Sequence, residues 1–129
     1  MTARFGRDLE RRFARHTLRA ALRPLFERAL AAHDATARVA VNDAVAMEAL
    51  RFLHERGVAV PRDMSVAGFD NTLESFFNGL TSWDFNIPAL VGALLGHILG
   101  PRPSGRAAYG PVVEIEGFVA ARQTVRAVR

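Results

Sequence analysis

The chain contains no cysteine, which excludes disulfides and cysteine-metal sites and by itself leaves the compartment open. It also has no long hydrophobic run, since nothing approaches the ~20 apolar residues of a membrane span. The opening "MTARFGRDLE" lacks the apolar stretch of a secretory signal, so nothing marks the chain for export and a cytoplasmic setting is expected. Catalytic motifs are missing too: there is no H-E-x-x-H, G-x-S-x-G, G-x-G-x-x-G or phosphate loop. The four histidines, His16, His33, His54 and His97, are scattered. His54 lies beside Glu55 on the polar face of one helix, and His97 lies in an apolar one. Asp43, Asp70 and Asp84 are the carboxylates an acid-base pair would draw on, but nothing in their setting marks a reaction. No enzyme, metal or cofactor is expected.

What is present is the composition of a soluble globular domain. Half of the 129 residues are apolar and 23% are charged, enough for one domain with a sizeable core. The net charge of +4 is unevenly placed. Residues 1–28 hold eight arginines (Arg4, Arg7, Arg11, Arg12, Arg15, Arg19, Arg23 and Arg28) against Asp8, Glu10 and Glu27, a net +5, while the rest of the chain is at −1. Such an arm can meet phosphates, but it carries no RNA-binding or zinc-finger motif and no helix-turn-helix. A solvated helix face is the expected role.

Hydrophobic spacing orders the elements. Leu18, Leu22, Leu25, Ala29 and Leu30 recur at helical intervals within residues 8–33, and Pro24 should kink that helix or start a new one. "RVAV" (38–41) fits a buried strand. Asp43 is the expected N-cap of the next helix, whose buried stripe is Ala46, Ala49, Leu50 and Leu53 and whose wet face is Glu48, Arg51 and Glu55. Gly57 should close it in a left-handed conformation. "MSVAGF" (64–69) is a second strand, "LTSWDF" (80–85) a third, and "PALVGALLGHILG" (88–100) a strongly apolar helix. "PRPSGRAAYGP" (101–111) reads as a loop, and "VVEIEGFVAA" (112–121) as a last strand, with Gly117 marking a bend or bulge. The order of strands and helices describes an α/β protein: three layers, with a largely parallel sheet flanked by helices.

In such sheets ligands sit beyond the carboxyl ends of the strands. Asn42 follows the first strand, Asp70 the second, and Asp84 ends the third. An amide and carboxylates there can donate to and accept from a polyol. The same residues equally suit a plainer role, with Asn42 and Asp43 capping a helix and Asp70 opening a turn.

The segment "ARVAVNDAVAMEALRFLHERGVAVPRDMSVAGFDNT" resembles the effector-binding core of LacI/GalR-type transcriptional regulators. The likeness rests on Asn42, Asp43, Ala46, Gly57, Pro61, Asp63, Ser65, Val66, Gly68, Phe69, Asp70, Asn71 and Thr72, in order and spacing. "GLTS" and "VAARQT" extend it over residues 36–124. The resemblance implies the C-terminal lobe of a periplasmic-binding-protein-like type I sensor over residues 36–129, preceded by an Arg-rich helical segment over 1–35. It implies a small-molecule effector, a carbohydrate or related metabolite, with Asn42 and Asp70 as its hydrogen-bonding contacts. "SWDFN" departs from the family's pattern and no ligand contact carries over from it; Phe85 is a candidate aromatic wall under a sugar ring from its place in the chain alone. Operator DNA would be met only through an N-terminal helix-turn-helix that these residues lack, and no membrane is involved. The resemblance also implies that residues 86–116 pack into a lobe mostly missing here. A homodimer or larger assembly is expected through Met47, Leu73, Phe76 and Phe77, with the 88–99 helix covered by a partner chain. Phe76 and Phe77 closing the core beneath their own loop is the alternative. A fragment of a transport-type periplasmic sugar-binding protein is the rival function.

Overall fold

Short strands of β-branched and small residues pair into one sheet flanked by helices. The computed structural model describes residues 2–32, 35–100 and 112–127, with side chains from residue 16 onward. The loop expected at 101–111 and the side chains of the first Arg-rich turns lie outside the described residues. Strands β1 (Ala37–Val39), β2 (Ser65–Phe69), β3 (Thr81–Asp84) and β4 (Phe118–Ala120) stand in that order in one sheet. β1 pairs parallel to β2 with Arg38 opposite Val66, and β2 pairs parallel to β3 with Gly68 opposite Ser82. β4 runs antiparallel along β3, with Trp83 opposite Val119. The largely parallel α/β sheet expected from the sequence is therefore present, with one antiparallel edge.

Helices α2 (Asp43–Glu55) and α3 (Leu73–Phe77) connect the parallel strands. α2 begins as sequence chemistry predicts, but its N-cap is one residue earlier than expected. The N-cap is Asn42, extended at φ −159° and ψ 174°, whose side-chain oxygen accepts from the Val45 amide at 2.9 Å. Asp43 is the first helical residue instead, because its carboxylate is drawn inward by donors from two other elements. The end of α2 is as expected: Gly57 adopts φ +72° and its amide donates to the His54 carbonyl at 3.0 Å.

Ala46, Phe52, Leu53, Met64, Val66 and Leu80 form the core, with Phe26, Leu30, Met47 and Leu50 packed against it. Helix α1 (Thr2–Ala31) supplies Phe26, whose ring meets Phe52 at 5.6 Å between centroids. α1 continues through Pro24 rather than restarting there. Its inward stripe runs through Leu18, Leu22, Phe26 and Leu30, while Leu25 is exposed. The packing of α1 on α2 outweighs the one amide that proline withholds. That packing also corrects the expectation for Glu48, which is only 5% exposed rather than on a wet face. It faces α1 and is paired with Arg51 at 3.0 Å.

The last described segment is sewn to the sheet by Thr124. Its hydroxyl donates to the Val66 carbonyl at 2.6 Å and accepts from the Thr81 amide at 2.9 Å, and its carbonyl accepts from the Val66 amide at 2.8 Å. The strand expected over 112–121 is shortened to 118–120. At its entry Gly117 passes so close to β3 that a Cβ there would lie 2.5 Å from the Asp84 carbonyl and 2.7 Å from Trp83 Nε1. Helix α4 (Ile87–Leu99) contrasts with the rest: none of its residues is buried, although Leu90, Val91, Leu94, Leu95, Ile98 and Leu99 are all apolar. Among the described residues no helix is long and apolar enough to cross a membrane.

Candidate functional site

Because β1, β2 and β3 are parallel neighbours, the residues that follow them emerge at one edge of the sheet. Asn42 stands three residues beyond β1, Asp70 directly follows β2, and Asp84 is the last residue of β3. The hydrogen bond from the Thr72 amide to Asp43 Oδ2, 2.8 Å long, ties the turn after β2 to the residue next to Asn42. Asn42 spends its oxygen on the helix cap, and its amide nitrogen makes no hydrogen bond within the described residues. It is thus both the cap and a free donor. The Asp70 carboxylate is exposed and likewise makes no hydrogen bond there.

Asp70 and its neighbour are held in an unusual backbone. Asp70 has φ +100° and Asn71 φ +46°, a conformation that costs a side-chain-bearing residue about 1 kcal/mol or more. Specific bonds hold it in place. The Asp70 amide donates to the Trp83 carbonyl at 3.0 Å, and the Asn71 amide to Ser82 Oγ at 3.0 Å. Asn71 Nδ2 donates to Asp84 Oδ2 at 2.7 Å. On its other side the Arg122 guanidinium donates to Asn71 Oδ1, and also to the Leu80 carbonyl at 2.6 Å.

Asp84 is polarised by the same network. The Asn71 hydrogen bond and then the Asn86 amide at 2.6 Å outweigh the opposing effect of burial and, with a lesser contribution from the Arg122 charge, hold its carboxyl below the ordinary aspartate value of 3.8. It therefore stands as a carboxylate at neutral pH. Phe85 follows it, exposed, with its ring stacked on Phe69 at 5.9 Å and 24° between planes. A flat apolar surface lies next to carboxylates and an amide, an arrangement suited to a polyol with one apolar face. Among the described residues no three histidine, aspartate or glutamate side chains gather as a metal ion would require.

The surface residues fall elsewhere. Leu73 is 77%, Phe76 60% and Phe77 79% exposed. Phe76 and Phe77 therefore do not close the core; they contact each other edge-on at 5.6 Å, and Arg122 stacks 5.4 Å from the Phe76 ring. Met47 is half-buried against the core. Sequence reasoning missed Ser82, Arg122 and the true role of Asp43. The spacing of "VAARQT" was the one signal for Arg122, and it did not say which residue Arg122 would reach.

Comparison with known proteins fits this geometry to a lineage. The sequence profile described as the periplasmic binding protein-like domain matches residues 3–125. The chain belongs to that family. Within it, the HTH-type transcriptional regulator AscG of Escherichia coli is 36% identical over 66 residues, covering 50% of this chain and 20% of AscG. The crystal structure of that Escherichia coli repressor superposes with a TM-score of 0.56 at 32% identity, over 71% of this chain and 34% of the other. The HTH-type regulator MalR of Streptomyces coelicolor is 34% identical over 99 residues, 71% of this chain and 29% of MalR. The transcriptional regulator CelR, solved in complex with cellobiose, aligns with a TM-score of 0.58 at 26% identity over 82% of this chain and 32% of CelR. The chain thus resembles LacI-type transcriptional regulators and spans 20% to 29% of the length of these curated relatives.

Proposed function

We propose that this chain is the effector-binding and dimerisation part of a LacI-type transcriptional regulator, with a carbohydrate as effector. The observation that carries the reading is the convergence of Asn42, Asp70 and Asp84 at one sheet edge beside the Phe69–Phe85 stack. Asn42 Nδ2 donates to an effector hydroxyl, Asp70 accepts from others, and Phe85 meets the apolar face of the ring. Asp84, kept ionised by Asn71, supplies a second acceptor. Operator DNA is reached by a helix-turn-helix that these 129 residues do not contain. The relatives that are named as transcriptional regulators support this over a transport-type sugar-binding protein.

Assembly belongs to the same reading. Leu73, Phe76 and Phe77 are exposed apolar side chains, and α4 presents further exposed apolar surface; together they are the kind of surface that protein contacts cover. A homodimer formed through Met47 and residues 73–77, with α4 covered by partner protein, removes both from water.

The test is amide mapping of the full-length protein titrated with cellobiose and a panel of related mono- and disaccharides. Binding of one of these should shift the resonances of Asn42, Asp70, Asn71 and Phe85. Saturable binding that leaves those amides unmoved would overturn the site.

A further inference from the structure

Asp43 is 1% exposed, yet it is a carboxylate, and the helix cap expected of it belongs to Asn42. Its buried side chain therefore serves something else. Oδ2 accepts from the Thr72 amide at 2.8 Å and from Thr72 Oγ1 at 3.0 Å, and Oδ1 accepts from Ser82 Oγ at 2.6 Å. The same Ser82 oxygen accepts from the Asn71 amide at 3.0 Å. Two successive amides of the turn after Asp70 are thus held by one buried carboxylate, directly at Thr72 and through Ser82 at Asn71. Thr72 Oγ1 also accepts from the Ser75 amide at 3.2 Å, so the start of α3 hangs from the same point.

The backbone makes room for this contact. A Cβ at Gly68 would stand 2.5 Å from Asp43 Oδ1 and 3.3 Å from Asp43 Cα. β2 carries no side chain at the one place where the carboxylate passes. The turn itself contains two adjacent side-chain-bearing residues at positive φ, Asp70 and Asn71, which do not hold that shape unaided.

We propose that Asp43 is the positioning residue of the site: it fixes the Asp70–Asn71 turn from beneath and so sets where the exposed Asp70 carboxylate stands. This rests on the reading that Asp70 contacts the effector. Asp43 itself, being buried, touches no ligand. Asp70 is the hand and Asp43 the wrist, linked through Thr72 and Ser82.

Amide hydrogen exchange tests this without any effector. In Asp43→Ala the Asn71 and Thr72 amides should exchange about tenfold faster or more, while Val66 in β2 and Ala46 in α2 keep their protection. Asp43→Asn should largely restore protection, because its carboxamide can turn its oxygen to Thr72 and its NH2 to Ser82. A uniform rise across the chain, or no rise at Asn71 and Thr72, would show a merely structural carboxylate and overturn the proposal. Should Asp43→Ala not fold, Ser82→Ala should speed Asn71 and leave Thr72 slow, and equal behaviour of the two amides refutes the relay. A double-mutant cycle completes the test in the full-length protein with whichever sugar of the panel binds. Asp43→Ala should weaken binding about tenfold in the native background and not further beside Asp70→Asn. If Asp70→Asn alone leaves binding unchanged, the contact reading fails, while the exchange result still decides the positioning.

Discussion

Asn71 donates from Nδ2 to Asp84 Oδ2 at 2.7 Å, so the turn after β2 and the tip of β3 act as one unit. The bond depresses the Asp84 pKa below its ordinary value, with the Asn86 amide and Arg122 acting in the same sense. A carboxyl with a lowered folded-state pKa contributes stability that is present above the unfolded value and lost as pH falls through the folded one. The expected outcome is that Asn71→Ala raises the Asp84 pKa, as followed by carboxyl carbon resonances in an acid titration. An unchanged Asp84 titration would remove Asn71 as its principal partner.

Asp63 gives a second, separate acid transition. The Arg62 side chain and then the Ala59 amide hold it down to about 2 from the ordinary 3.8. Its contribution is full above pH ~4 and disappears as pH falls toward about 2. In Arg62→Ala the Asp63 resonance should titrate closer to the ordinary value.

Much of this architecture was legible in the sequence, and the exceptions have physical reasons. Alternation and turn residues located β2 and β3 within a residue or two, and Gly57 marked the end of α2, because these signals are local. The cap fell to Asn42 rather than Asp43 because either residue caps a helix equally well, and the choice is made by Thr72 and Ser82, 29 and 39 residues from Asp43. Glu48 looked wet because its neighbours on the helix surface are charged; α1 covers it from a distance no spacing rule sees. That Asn42, Asp70 and Asp84 share one sheet edge followed from strand order, whereas "VAARQT" marked Arg122 without showing that it reaches Asn71, 51 residues away.

A single methyl at Gly68 should also be damaging. Gly68→Ala places Cβ against Asp43 Oδ1 and the α2 backbone, so a loss of about 1–3 kcal/mol is expected. Chemical denaturation measures it, and a variant as stable as the parent would contradict the close approach of α2 to β2.

Asn42 carries two roles that can be separated. Asn42→Asp keeps the cap acceptor and removes the donor, whereas Asn42→Ala removes both, at about 1 kcal/mol of stability for the cap. Sugar affinity should fall in both variants and stability only in the second. Equal stability of the two would show that the Val45 bond contributes nothing.

Light scattering during size-exclusion chromatography should find a dimer or larger species at micromolar concentration. Phe77→Asp should shift it toward the monomer of 14.1 kDa. A monomer in both cases would refute residues 73–77 as an interface.

Operator release by the full-length protein tests the central claim most directly. With the sugar identified from the panel, Asp70→Ala should need at least about tenfold more of it to release the operator, since losing a charge-assisted acceptor costs about 1.5–3 kcal/mol. Operator affinity without sugar should stay unchanged. A release curve that superimposes on the parent's would contradict the assignment of the sheet edge as the effector site.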